Sequence, residues 1–124
     1  MTAPNMISAT SILGKTATVA LSTASPTEVL SNADASGKVL KVNLLSVSNV
    51  DGSVPANITI SYYSEDNIGG TGTEIIQLAT VAVKEKLVVI DKNTFIYLEE
   101  NRSIGATASA ANDLKVIVSY EEIE

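Results

Sequence analysis

The fold class of this chain is decided by residues 38–49, which read KVLKVNLLSVSN. Leu40, Val42 and Leu44 alternate with polar residues, as the residues on one face of a β-strand do. The apolar positions then change phase, because Leu45 and Val47 fall on the opposite face. A phase switch of this kind predicts either a β-bulge or a strand that crosses between two sheets.

Short apolar and β-branched segments continue along the rest of the chain, and no helical periodicity is sustained. Further strands are predicted at residues 16–21, 28–31, 57–64, 75–83, 87–90, 94–98, 103–108 and 114–120. About eight or nine short strands separated by polar turns predict an all-β fold, namely a single antiparallel β-sandwich of the jelly-roll type. We expect residues 13–124 to form this domain and residues 1–12 to form an extended N-terminal arm.

Two of the predicted connections depend on glycine. Asp51-Gly52 suits a type I′ hairpin turn, which would return residues 57–64 antiparallel to the strand at 38–49. Residues 65–73 read EDNIGGTGT and contain many turn formers. We therefore expect an exposed loop there, the longest in the chain.

Composition excludes several classes of function. The chain has 124 residues, which is enough for one domain, and its single Phe and lack of Trp predict an aliphatic core. It contains neither Cys nor His, so it lacks thiolate chemistry, disulfides and the commonest general base near neutral pH. We predict that it is not an enzyme and that it carries no cofactor.

The charge pattern bears on partners. A net charge of −6 with scattered basic residues argues against nucleic-acid binding, and the absence of a long apolar run argues against a membrane partner. The N-terminus lacks the features of a signal peptide. Glu65-Asp66-Asn67 beside Gly69-Gly70 only weakly resembles a calcium loop, so a polar loop without metal is the preferred interpretation.

Two alternatives stay open at this point. An enzyme could use carboxylates alone, but the neighbours in Glu99-Glu100 and Glu121-Glu122 would point to opposite faces of a regular strand. A carbohydrate-binding or receptor-binding module could use exposed tyrosines together with residues 65–73. Tyr62, Tyr63, Tyr97 and Tyr120 are more simply interpreted as packing residues.

A family resemblance is carried by the C-terminal third and by residues 38–52. Residues 97–104 read YLEENRSI, and residues 114–123 read LKVIVSYEEI. In this order the segments resemble small virion proteins of tailed bacteriophages, particularly those that infect marine cyanobacteria. The resemblance implies a capsid decoration or cement protein in the virion, made in the bacterial cytoplasm, or else a neck or tail accessory subunit. It also implies a homo-oligomer, commonly a trimer, that contacts the major capsid protein or other virion proteins.

Two groups of residues are candidates for partner binding. In the arm and at the first residue after it, Ile7, Ile12 and Leu13 are apolar residues with little to pack against locally. In the predicted loop, Asp66, Asn67 and Ile68 lie where an exposed surface is expected. No catalytic or metal-binding residue is predicted.

Overall fold

The computed structural model describes residues 5–124. After a single 3-10 turn at Met6–Ser8, this part of the chain contains nine strands: β1 (Ile12–Ala20), β2 (Thr27–Asn32), β3 (Val39–Asn49), β4 (Ala56–Glu65), β5 (Gly69–Val81), β6 (Lys86–Ile90), β7 (Ile96–Leu98), β8 (Arg102–Ala108) and β9 (Leu114–Ile123). The all-β prediction is confirmed. The first strand begins four residues before its predicted start, and residues 1–4 of the predicted arm lie outside the described residues.

The strands form two packed antiparallel sheets. The first sheet has the order β1-β9-β3-β6, with β7 also paired to β3, and the second has the order β2-β8-β4-β5. Strands from the first half of the chain pair with strands from the second half in reverse order. The pairs are β1 with β9, β2 with β8, β3 with β6, and β4 with β5. This wrapped arrangement is a jelly roll, as the sequence predicts.

The core between the sheets is aliphatic. Val42, Leu45 and Val47 of β3 are fully buried, as are Ile58 and Ile60 of β4 in the other sheet. None of the five aromatic side chains, all of which lie in the described residues, is fully buried. Because β-branched side chains suit a pleated surface, the same residues that favour strands also fill the core.

Two buried asparagines join the sheets at separate places. Asn32 in β2 donates through Nδ2 to the carbonyl oxygens of Lys38 and Leu98, at 2.9 and 3.0 Å. Asn49 in β3 donates to those of Val54 and Val81, at 3.1 and 3.0 Å. A buried carbonyl without a donor is costly, so these amides stabilise the fold by donating to four backbone carbonyls.

The phase switch in residues 38–49 is a bulge. The pairing of β3 with β9 shifts in register between Val42 and Leu44, and β3 stays in the first sheet throughout. Leu40 and Val42 are buried before the shift, and Leu45 and Val47 are buried after it. The extra residue allows both apolar sets to face the same core.

The predicted hairpin at Asp51-Gly52 is wrong. Neither residue has a positive φ, and β4 lies in the opposite sheet from β3. The segment instead crosses between the sheets, and the Asn49 side chain holds it by accepting from the Asp51 N–H at 2.9 Å. An Asp-Gly pair permits a tight hairpin but does not impose one. The core contacts of the following strand determine the sheet in which that strand lies.

The predicted exposed loop at residues 65–73 is also wrong. Glu65 pairs with Gly69, so the turn contains only residues 66–68, and the glycine-rich residues belong to the edge strand β5. Asn67 and Ile68 take positive φ values of 53° and 51°, and Gly70 takes 70°. Glycine is frequent in loops, but here it lies in a strand, where Gly70 takes a positive φ and Gly72 leaves space for the ring of Tyr63.

Candidate assembly surface

Apolar side chains are exposed where the chain enters the sandwich. Ile7 is 98% exposed, Ile12 is 58% exposed and Leu13 is 48% exposed. The backbone is fixed at the start of β1, because Ser11 and Glu124 exchange hydrogen bonds and the Thr10 N–H donates to the same Glu124 oxygen. Ile12 and Leu13 therefore present apolar surface from an anchored strand, whereas Ile7 lies in the 3-10 turn that precedes the anchored residues.

A carboxylate held by two lysines lies on the same strand pair. Glu122 in β9 accepts from Lys15 Nζ and from Lys38 Nζ, each at 3.0 Å, and its side chain is only 13% exposed. Hydrogen bonds from Lys38 and then Lys15 lower the pKa of the Glu122 carboxyl. The same contact raises the pKa of Lys38. These ion pairs connect β1, β9 and the residue that precedes β3.

Replacing Glu122 with Gln is expected to lower the free energy of unfolding at pH 7 by about 1 kcal/mol, as for exposed ion pairs. The folded-state pKa of Glu122 lies below the ordinary value of 4.5, so its contribution is present above that pH and is lost on acidification. Urea unfolding from pH 7 to pH 3 should therefore show the native and E122Q curves converging as the pH falls. Glu85→Gln, in an exposed turn, is the control, and an equal effect of both changes would contradict the assignment.

The second predicted group forms the tight turn between β4 and β5. The N–H groups of Asp66, Asn67 and Ile68 donate to side-chain oxygens of Asn101, Ser31 and Ser103, at 3.1, 3.0 and 2.8 Å. Asp66 Oδ2 accepts from the Asp34 N–H at 3.1 Å. The turn is thus docked on its own sheet.

Ile68 illustrates how the turn is held. A β-branched residue with positive φ is an outlier that its surroundings must maintain. A Cβ on Gly105 would lie 2.9 Å from Ile68 Cγ2, so this glycine leaves the space that Ile68 occupies. Part of the Ile68 surface is therefore covered within the chain.

The structure does not bring the two predicted groups into one site. Ile12 and Leu13 belong to the first sheet, whereas the turn at residues 66–68 hydrogen-bonds to residues in or beside the second. A partner contacting both groups would have to span the two sheets. Their role in partner binding stays a prediction.

A pocket that the sequence did not predict lies at the β3 bulge. It has a volume of about 390 Å³ and is lined by Asn43, Leu44, Asp91, Lys92 and Ser119. It forms where β3 changes partners, since β7 pairs with residues 40–42 and β6 with residues 45–48. The phase switch signalled the bulge, but the change of partner has no signal in the sequence.

Two of the polar residues that line this pocket already have partners. Asp91 Oδ1 accepts from the N–H groups of Asn93 and Thr94, at 2.9 and 3.1 Å. Asn43 Nδ2 donates to Glu121 Oε1 at 3.0 Å. Within the described residues, no hydrogen bond joins Ser119 to a base, so the arrangement lacks an activated nucleophile.

One pair of carboxyls from different loops was also missed by the sequence analysis. A hydrogen bond from the Ser53 N–H lowers the pKa of Asp51, whereas burial and the nearby Asp51 charge raise the pKa of Asp113. Asp51 Oδ1 serves the turn by accepting from the Ser53 N–H at 3.0 Å. Across residues 5–124 no group of three or more acidic side chains is placed to hold a metal ion.

Comparison with known proteins adds one fold relationship. A scan of protein-family models gives no match, and neither does a search of curated proteins. Among solved structures, the chain is similar to one from a study described as "Bacillus endospore appendages form a novel family of disulfide-linked pili". The TM-score is 0.53 at 12% identity, over 99% of this chain and 96% of the other. At this identity the likeness supports a common fold alone.

The two proteins differ in whether disulfides can link their subunits. The Bacillus pili are described as disulfide-linked, whereas this chain contains no Cys. Disulfides therefore cannot link copies of this chain. In the part of the chain that the structure describes, no helix is long and apolar enough to cross a bilayer.

Proposed function

We propose that this protein is a non-enzymatic structural subunit that acts as a homo-oligomer, and that it serves as a capsid decoration protein in the virion of a tailed bacteriophage. The observation that carries the structural role is the exposed apolar surface at Ile7, Ile12 and Leu13, at and before the anchored start of β1. The virion assignment is supported by the sequence resemblance of residues 38–52, 87–108 and 112–123 to small phage virion proteins.

The chemistry of the chain supports a role without catalysis. The carboxylates of Asp91 and Glu121, in and beside the pocket, accept hydrogen bonds from a turn N–H and from Asn43, and neither imidazole nor thiol is present in the sequence. The jelly roll supplies a rigid body in which the buried side chains of Asn32 and Asn49 donate to backbone carbonyls of the opposite sheet. A rigid surface with exposed apolar residues suits lasting association.

The similarity to the Bacillus chain supports the same conclusion at the level of the fold. That chain belongs to a pilus, so a jelly roll of this length is compatible with a subunit of a large assembly. The proposed phage role is tested by mass spectrometry of purified virions. Hundreds of copies per particle are expected for a decoration protein, about a dozen would place it at the neck or tail, and its absence would overturn the virion assignment.

Removing the exposed apolar surface is expected to weaken assembly without unfolding the domain. The double variant Ile7→Ser, Ile12→Ser should bind particles about tenfold more weakly or worse, because each apolar side chain buried at an interface contributes more than 1 kcal/mol. Co-sedimentation with particles that lack the protein measures this effect. Val54→Ser is the matched control, since Val54 is 52% exposed on the β3–β4 connection. Equal binding by both variants would contradict the role of the segment.

A carbohydrate-binding or receptor-binding module is the second candidate, on one specific observation. Phe95 and Tyr97 are 41% and 38% exposed, and their rings meet edge to face at 5.4 Å. Phe95 lies in the connection that supplies Asp91 and Lys92 to the pocket. However, Lys41 Nζ lies 4.6 Å from the centre of the Phe95 ring and occupies one stacking face. Binding to a glycan array that is lost in Tyr97→Ala would favour this candidate.

A further inference from the structure

The first sheet ends in a strand whose outer edge is open. The register of β1 with β9 is uninterrupted from Ile12 to Ala20. At its two ends, Ser11 exchanges hydrogen bonds with Glu124, and the Leu21 N–H donates to the Leu114 oxygen. In an antiparallel ladder the bonded residues alternate, so the odd-numbered residues of β1 bond to β9.

The even-numbered residues of β1 must therefore direct their N–H and C=O groups away from the sheet. They are Ile12, Gly14, Thr16, Thr18 and Ala20, and all five are exposed. Among the described residues, β9 is the one strand that pairs with β1. A regular open edge of this kind is a template for another strand.

The other sheet edges are interrupted or short. The pairing of β2 with β8 shifts between Glu28 and Leu30, and that of β5 with β4 shifts at three places. On the far side of the first sheet, β6 has five residues and β7 has three. Bulges and short strands discourage pairing, which leaves β1 as the long unprotected edge of the described structure.

We infer that β1 pairs antiparallel with β1 of a second copy, about a two-fold axis at Thr16. This register places Thr16 opposite Thr16 of the second copy, Gly14 opposite Thr18 and Ile12 opposite Ala20. Every outward-facing residue then meets another outward-facing residue. The ladder would contain about ten backbone hydrogen bonds, which is about the number found in a typical specific interface.

The side chains of β1 favour a second copy as the occupant. Lys15 is the one charged residue of the strand, and this register places it opposite Ala17. The exposed Leu13 comes to lie opposite Val19 of the second copy. An axis at Lys15 would oppose two ammonium groups, and an axis at Ala17 would leave Ile12 without an opposite residue in β1.

This inference rests on the proposed function, because it names the partner of the homo-oligomer, and it replaces the three-fold symmetry implied by the resemblance with a two-fold axis. The chain has no Cys, so a single Thr16→Cys variant carries one thiol per copy. At a bonded antiparallel pair the Cα atoms lie about 5.5 Å apart, within the range that a disulfide requires. Oxidised glutathione accepts the two electrons released when the bond forms.

Thr18→Cys is the matched control, because Thr18 is also an exposed threonine whose N–H and C=O groups point away from β9. Its counterpart on the second copy would lie four residues further along the strand, about 13 Å away. We expect Thr16→Cys to form covalent dimers at least tenfold faster than Thr18→Cys on non-reducing gels. Equal rates would overturn the register.

A second variant tests the edge without cross-linking. Thr18→Pro removes an outward N–H but none of the bonds to β9, so the domain should stay folded. Light scattering should give a mass near twice the 12.9 kDa of the chain for the native protein and near 12.9 kDa for Thr18→Pro. An oligomer in which Thr16→Cys fails to cross-link would overturn the two-fold pairing and leave the proposed function standing, whereas a native monomer would overturn both.

Discussion

Replacing Asn49 with Asp is expected to lower the free energy of unfolding by about 3–5 kcal/mol at pH 7, the cost of a buried charge without a partner. Asn49 is 2% exposed, and its Nδ2 donates to two carbonyl oxygens that no other described side chain serves. A carboxylate has no proton to donate, so it would face both carbonyls with its negative charge. Urea unfolding followed by circular dichroism measures the change.

The pH dependence of this variant provides an internal check. Burial beside carbonyls should raise the folded-state pKa of the new carboxyl above the unfolded value of about 3.9. Its penalty should therefore be smallest at low pH and grow as the pH rises through that range. Asn57→Asp is the control, because Asn57 Oδ1 accepts from Thr80 Oγ1 and a carboxylate can do the same. Equal losses for the two variants would contradict the role of Asn49.

Replacing Leu45 with Ala is expected to cost about 3–4 kcal/mol, the usual cost of a cavity at a fully buried leucine. Leu45 is fully buried directly after the β3 bulge and packs in the central cluster. Thermal and urea unfolding of the purified variant would measure the loss. The loss of stability has two causes. Less apolar surface is buried, and a cavity remains because the two close-packed sheets cannot move together to fill it.

The neighbouring residue supplies a control that tests the bulge itself. Leu44 is the same residue type, is partly exposed and lines the pocket on the other face of β3. Leu44→Ala should cost about 1 kcal/mol, because less apolar surface is removed from the core. A larger loss for Leu44 than for Leu45 would mean that the phase of β3 is wrong.

The stability variants and the β1 edge variants affect different properties of the protein. Leu45 and Asn49 determine whether the domain folds, whereas Thr16 and Thr18 present groups at its open edge and are not part of the core. Assembly and folding can therefore be perturbed separately. Loss of particle binding in a variant of the edge that keeps its unfolding midpoint would locate the defect at the interface.

The candidate site could be predicted only in part. Ile7, Ile12 and Leu13 stand out in the sequence because they are apolar in a segment without a periodic pattern, and the structure leaves them exposed. Asp66, Asn67 and Ile68 lie in a segment rich in turn formers, but a sequence cannot indicate that Ser31 and Ser103 accept hydrogen bonds from this turn. Such contacts join residues 35 or more positions apart.

The sequence by itself determined most of the strands, the aliphatic core and the change of phase in β3, whereas the structure decided that this change is a bulge and not a crossing between sheets. Alternation along residues 38–49 and 114–118 is a local property, because successive side chains of a strand point to opposite faces whatever the strand pairs with. The tertiary structure alone decided that Asp51-Gly52 crosses between sheets, that the glycines at 69–72 belong to a strand, and that β1 lies at an edge. The reason is that strand neighbours are chosen by burial and hydrogen bonding between distant segments, which period-two alternation leaves open.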